Sequence, residues 1–353
     1  MGVRNCRGIV LIRLSTTRVG RAVSPPRTGS PPYVKLQSLA KINLDLRVLH
    51  KRTDGFHELR TVFQTISLAD TIEVSYEPAR RTELILDDAL AIPNNLVLRA
   101  AQAALDAMRV HAKIRFRLTK NIPMGGGLGG GSSNAASILL ALPVLAGKRI
   151  DLDTLTEIGT QLGSDVPFFL TGGTALGLGR GTELYPLPDI ARDPLLVICP
   201  PVHSSTADAY TALKRELTVT ASSTRMNSFR AFVRELGEVR SAGQAGPLSG
   251  NDFEAAICLQ HPQLKTLPGK LSKLGAVHAA MTGSGSAFFA VFASRADRDQ
   301  ALRGWQQGRG NAPAFAAEIV SQRQYQALWR RQLKGYITGD PIWPPQGLCG
   351  SSK

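Results

Sequence analysis

The sequence predicts an α+β fold in two domains, with a boundary near residues 190–200. Three observations carry this. The chain has 353 residues, 43% of them hydrophobic, enough for two domains and a sizeable core. Strand-like alternation and helical periodicity are interleaved along it without a repeat. The strand segments alternate apolar with charged residues, as antiparallel strands covered on one face do, rather than running apolar throughout.

Residues 1–34 hold six arginines and no acidic residue among serines and prolines, and read as a disordered basic extension. Organelle transit peptides share that composition. From Lys35 to about Pro78 the pattern is strand-like, with a turn at "KRTDGFHEL". Within it, Ile72, Val74 and Tyr76 alternate with Thr71, Glu73 and Ser75. "NNLVLRAAQAALDAM" predicts an amphipathic helix. "AKIRFRLTK" alternates Ile114, Phe116 and Leu118 with Lys113, Arg115 and Arg117. Next comes "PMGGGLGGGSSNAAS", with six glycines and one leucine from Gly125 to Gly131. A helix follows it, for which Ser132 and Ser133 are natural N-caps.

"DTLTEIGTQLGSDVPFFL" predicts one further helix, stopped near Pro167. "GGTALGLGRGTELYPL" reads as a glycine-rich hairpin and "PLLVICP" as a short buried strand. Residues 211–250 give mixed signals. The segments from Asn251 to Gln307 predict helix, helix, strand–loop–strand and helix. Residues 321–353 carry five basic groups against one aspartate and read as a basic tail. The expected domains are therefore 35–195 and 196–320.

The net charge of +15 invites a nucleic-acid reading. Most of that excess sits in the two end segments, however, and the remainder is mild enough to suit anionic small molecules. Cys6, Cys199, Cys258 and Cys349 are scattered without a CxxC pair, so neither a disulfide framework nor a zinc site is expected, and a reducing compartment fits. No apolar run approaches the roughly 18–20 residues that span a bilayer. A cytoplasmic protein is expected, with the transit-peptide reading of the N-terminus left open.

Glycine is the most costly residue to order, so six in front of a helix need a reason. Without side chains, backbone N–H groups can approach an anion closely, and the helix adds unpaired donors and a positive dipole end. A phosphate chain is the natural occupant. The Walker A pattern fails because Gly131 stands where its lysine belongs. The dinucleotide pattern matches at Gly125, Gly127 and Gly130, but the preceding strand alternates with charges instead of being buried on both faces. The protein-kinase loop lies in a hairpin with no following helix.

The pattern P-x-G-G-G-L-G-G-G-S-S-N-A resembles the phosphate loop of the GHMP kinases (galactokinase, homoserine, mevalonate and phosphomevalonate kinases). "SLAKINLDLRVLHKRTDGFHEL", "LGSDVPFFLTGGTALGLGRGTEL", "NDFE" at Asn251 and "MTGSGSAFFAVF" at Met281 resemble the branch of that family that acts on a CDP-linked methylerythritol. The resemblance covers roughly residues 35 to 295. It implies an N-terminal domain like the second domain of ribosomal protein S5 and a ferredoxin-like C-terminal domain. The implied reaction moves the γ-phosphoryl of ATP, with Mg2+, onto the 2-hydroxyl of the methylerythritol part, a step of non-mevalonate isoprenoid precursor synthesis.

By this resemblance Asp165 is the general base and Lys41 its charge-stabilising partner. ATP is expected against Asn95, Lys120, Pro123, Met124, Gly125, Gly126, Gly127, Leu128, Gly129, Gly130, Gly131, Ser132 and Ser133. The acceptor is expected against Asn43, Phe56, His57, Thr206, Tyr210, Gly283 and Gly285, with Phe56 and Tyr210 as the two walls of a cytosine sandwich. The family usually has tyrosine where Phe56 stands. No protein ligand for magnesium is assigned beyond a serine hydroxyl at Ser132 or Ser133. The partners are then small molecules, without nucleic acid or membrane, for a monomer or homodimer. Two other readings stay open: a GHMP kinase with another acceptor, such as homoserine or a mevalonate derivative, and a basic nucleic-acid-binding module.

Overall fold

The computed structural model describes residues 33–190, 193–202, 209–210, 213, 250–308, 312–339 and 342–347. The basic extension at 1–32, Thr206 and nearly all of 211–250 lie outside the described residues.

The first domain is built on two long antiparallel strands, β1 (Val34–Lys51) and β2 (His57–Pro78). The other edge of β2 is shared. Its first half pairs with β5 (Thr174–Gly179), its second with β4 (Ala112–Thr119). β3 (Glu83–Asp88) joins β4 in parallel, and β6 (Glu183–Pro186) closes the predicted hairpin with β5. Along β4, Ala112, Ile114, Phe116 and Leu118 point into the core and the basic residues point away. Helices α1 (Leu96–Met108), α2 (Gly130–Leu145), α3 (Leu152–Leu162) and α4 (Val166–Thr171) cover that face.

The second domain follows as β7 (Pro194–Ile198), α5 (Asp252–Gln260), a 3-10 turn (Pro262–Thr266), α6 (Leu267–Lys273), β8 (His278–Met281), β9 (Phe288–Val291), α7 (Arg295–Gln307) and β10 (Ala314–Glu318). Its four strands lie in the order β10-β7-β9-β8, all antiparallel. This is the ferredoxin-like arrangement. The two sheets face each other: Ala40, Ile42, Val62, Ile66 and Leu176 of the first pack on Leu195, Val197, Phe289, Ala317 and Ile319 of the second. A third cluster joins the second sheet to α5, α6 and α7. The molecule thus has four layers, helices–sheet–sheet–helices. Among the described residues no helix is long and apolar enough to cross a membrane.

Three sequence expectations need correction. The helix expected to stop at Pro167 is two helices. Extended backbone at Gly163 ends α3, and Pro167 sits in the first turn of α4, where its missing N–H has no partner to lose. Ser132 and Ser133 do not cap α2, which begins earlier, after left-handed Gly129 (φ +69°). The Ser133 hydroxyl is buried, donating to Leu39 O (2.6 Å) and accepting from Ser38 Oγ (2.7 Å).

Nor is the C-terminal segment only a tail. Gln322–Gln332 forms helix α8, opened by a capping box between Ser321 and Gln324. Tyr325, Trp329 and Leu333, spaced by four, are buried in the core of the first domain. The basic residues between them hide this stripe from a charge count.

Candidate active site

Three segments meet beside the glycine loop: the middle of β1, the start of α4 and the β8–β9 loop. On β1, Lys41 and Asn43 are two residues apart and so share a face of the strand. Lys41 is buried, and a buried ammonium is costly unless paired. Its Nζ donates to Asn43 Oδ1 (2.7 Å), lies 3.5 Å from Asp165 Oδ2 and stands 5.4 Å over the Phe63 ring. Asp165 occupies the position before α4, and its carboxylate is about one-third exposed. The pair therefore has one partner sealed in the protein and one reachable from solvent.

Asn43 is tied to three neighbours. Its Nδ2 donates to Thr61 Oγ1 (2.7 Å), which fixes Oδ1 toward Lys41, and its backbone N–H donates to Thr282 Oγ1 (2.8 Å). It orients the lysine, and its second Nδ2–H is the amide donor that remains for an acceptor.

The glycine loop is pinned from both sides. Lys41 N–H donates to Leu128 O (3.0 Å), and the Leu128 side chain is buried in the core between the sheets, so its side chain anchors the loop. Gly127 (φ +75°) packs directly on the second loop: a Cβ there would lie 2.5 Å from Thr282 O. Gly283 returns the contact from the other side. Gly283 and Gly285 are both buried: Gly283 packs on Gly127 of the glycine loop, and Gly285 on Met281 and Ile257. Met124, Gly125 and Gly131 are exposed, Pro123, Ser132, Gly129 and Gly130 half so, and a Cβ on Gly131 would meet only Leu96 Cδ1 at 3.7 Å. The open wall of the loop is thus bare backbone running into the N-terminus of α2.

Lys120 Nζ lies beside Gly130 and is ion-paired with Asp70, which is buried and also accepts from the N–H groups of Asn121 and Ile122 (2.8 Å each). Asn95 caps α1 by accepting from Val97 N–H (3.0 Å) and donates to Asp88. Both expected nucleotide contacts therefore also hold the walls of the loop.

At the rim, the structure brings His57 and Tyr210 together, with ring centroids 4.4 Å apart and planes 14° from parallel. A base between two rings needs about 7 Å, twice the contact distance of ~3.5 Å, so none fits between His57 and Tyr210 as they stand. Phe56 is 49% exposed and carries the Arg180 guanidinium 3.6 Å from its ring centroid. Burial, with the Lys51 charge, lowers the His57 pKa. Burial, with the negative Asp165 nearby, pushes the Tyr210 phenol up to about 12. That coupling ties the aromatic rim to the carboxylate.

Sequence reading missed the residues that hold these segments. Asn251 caps α5 and its Nδ2 donates to both Met281 O and Gly283 O (2.9 Å each). Glu254 Oε2 accepts from Met281 N–H (3.0 Å), Asp252 from Val48 N–H (3.0 Å), and Phe253 meets the Tyr210 ring edge-on at 4.9 Å. All four residues of "NDFE" therefore support the site. The motif was visible; its work was not. Thr61, Thr282 and Arg180 gave no local signal.

A backbone phosphate cradle beside a lysine–carboxylate pair, on two back-to-back α+β domains, defines a small-molecule kinase of the GHMP class. Comparison with known proteins agrees. The model of the GHMP kinases N terminal domain matches residues 95–173 and that of the GHMP kinases C terminal matches 229–310. A protein of Solibacter usitatus named 4-diphosphocytidyl-2-C-methyl-D-erythritol kinase is 49% identical over 318 residues, 89% of this chain and 97% of that protein. One of the same name from Gloeobacter violaceus is 37% identical over 74% of this chain and 87% of its own. A crystal structure of 4-(cytidine 5'-diphospho)-2C-methyl-D-erythritol kinase superposes with a TM-score of 0.67 at 34% identity, over 81% of this chain and 98% of that one. A homoserine kinase from Cytophaga hutchinsonii, at 19% identity and TM-score 0.61 over 86% and 99%, shares the fold. The chain belongs to the GHMP kinases, ATP-dependent enzymes, in the branch of the 4-diphosphocytidyl-2-C-methyl-D-erythritol kinases.

Proposed function

We propose that this chain transfers the γ-phosphoryl of ATP to the 2-hydroxyl of 4-diphosphocytidyl-2-C-methyl-D-erythritol, with Asp165 as general base and Lys41 as its charge partner. The observation that carries the reading is the Lys41–Asp165 pair, 3.5 Å apart, next to a loop whose open wall is backbone alone. The triphosphate lies along Gly125–Gly131 and the start of α2, where N–H donors and the helix dipole face it. Asp165 Oδ2 accepts the hydroxyl proton as the acceptor oxygen bonds to phosphorus, and ADP leaves with the bridging oxygen. Lys41 pairs with the carboxylate and offsets charge on the moving group. Magnesium, when bound with ATP, supplies further charge neutralisation at the phosphate oxygens. Ser132 is the serine near the loop whose hydroxyl stays available to it, since that of Ser133 is engaged.

At the acceptor end, exposed Phe56 offers a stacking face, and His57 and Tyr210 line the path to Asp165. The relatives' shared name supports the cytidyl acceptor. The test is ADP release with ATP, magnesium and the cytidyl substrate, with mevalonate, homoserine and galactose in parallel and Asp165→Asn as control. Turnover with the cytidyl substrate alone, lost in the variant, is the expected result. Turnover only with another acceptor discards the reading of the rim; full activity in Asp165→Asn discards the base.

A further inference from the structure

Helix α4 has six residues, far fewer than the ~12–15 at which isolated helices become even marginally stable. Its direction must be set by what it touches, and its first residue follows Asp165. The last carbonyls of a helix have no partner within it. Here Phe168 O accepts from Gly172 N–H (2.9 Å), while the next two carbonyls are taken by the C-terminal segment. The Tyr325 hydroxyl donates to Phe169 O, and Trp343 Nε1–H donates to Leu170 O (3.0 Å).

Packing repeats the pattern. The Tyr325 ring lies on Gly172 so closely that a Cβ there would be 2.5 Å from it, and Gly173 abuts the backbone of Gln322. Tyr325 and Trp343 are within ring contact of each other, at 6.5 Å. Gly347 meets Gly147 at the far end of α2, so the segment grips both helices that begin at the site. On its inner side α4 presents Phe169, whose ring a Cβ on Gly129 would strike at 2.8 Å. A shift of α4 therefore moves Asp165 and presses on the phosphate loop together.

We propose that residues 322–339 and 342–347 act as a clamp that positions Asp165 for proton transfer, with Tyr325 and Trp343 as positioning residues. The inference rests on the reading of Asp165 as base. Neither side chain is needed to bind ATP or acceptor. Their loss misaligns the carboxylate while leaving the ground-state contacts in place, so it lowers kcat and spares KM.

The experiment uses the full chain with Tyr325→Phe, Trp343→Phe and the control Ser321→Ala. Each of the first two removes one donor and keeps a ring. The control weakens the start of α8 by about 1 kcal/mol without touching α4. Tyr325→Phe and Trp343→Phe are expected to lower kcat about tenfold each, within the ~100-fold range seen for ångström misplacements, with both KM values within twofold. Ser321→Ala is expected to lower the melting temperature and leave kcat unchanged. An unchanged kcat in the two ring variants overturns the clamp. So does a loss that Ser321→Ala shares in proportion to its stability, or a rise in the KM for ATP in place of a fall in kcat. If Tyr325→Phe does not fold, Trp343→Phe, at a half-buried position, decides alone. Activity retained in Asp165→Asn is the separate failure of the base assignment.

Discussion

At the scale of single residues, the site rests on one buried cation with few partners. Lys41 has Asn43, Asp165 and a ring face, and Asp165 is its one anionic partner among the described residues. Lys41→Met should remove the partner charge while filling the same space, and lower kcat by about 10²–10⁴, as should Asp165→Asn, the range for a positioned proton acceptor and its support. Rapid-quench measurement of the first turnover checks that the chemical step is the one slowed. His57 gives a pH prediction. Its folded pKa lies below the ordinary value near 6.5, so the ring is neutral at and above neutrality. As pH falls through about 6.5 the unfolded chain takes the proton first, so stability is full above that pH and declines on the acid side. The acceptor KM should be flat from about pH 7 to 9 and rise only below the ordinary histidine range. A titration of KM against pH, repeated with His57→Asn, should show the acid limb in the parent alone.

At the scale of elements, most of what the sequence predicted was legible because it is local. Alternation in β4, the hairpin of β5 and β6, and the helix that follows Asn251 depend on neighbours within a few residues. What was not legible depends on contacts across the fold. The His57–Tyr210 stack joins residues 153 positions apart, and the engagement of Ser133 depends on β1. The glycine loop shows both kinds of information. Its need for bare backbone was readable, but not that different glycines serve different ends. Gly127→Ala should be doubly penalised, by a positive φ and by the carbonyl of Thr282, at a cost of about 1–3 kcal/mol for the strained backbone alone. Gly131→Ala meets only Leu96 Cδ1, at an ordinary contact distance of 3.7 Å, so its melting temperature should hold while the KM for ATP rises. Thermal melts and ATP kinetics on the two variants separate the glycine that packs from the glycine that faces phosphate.

At the scale of the whole molecule, the two domains are not independent lobes around a cleft. Their sheets share a core, and the site's groups come from both: Lys41 and Asp165 from the first, Thr282 and Asn251 from the second. Arg47 reinforces the join, reaching Asp45 on its own strand (3.1 Å) and Asp252 at the start of α5 (3.3 Å). Burial raises the Asp45 pKa, with Arg47 and Arg60 pulling it back down. Two-state unfolding of the whole is therefore expected, and the tryptophans test it. Trp305 lies in the core of the second domain and Trp329 in that of the first. Variants carrying only one of these indoles should report the same denaturant midpoint. Phe289→Ala, in the shared core, should cost about 3–5 kcal/mol and lower both midpoints equally, because the cavity opens against both sheets. Midpoints that separate in that variant, with Trp305 moving and Trp329 not, would mean that the first domain holds its fold without the second. The site could then lose Thr282 and the Gly283 loop while keeping Lys41 and Asp165, and activity should follow the Trp305 transition.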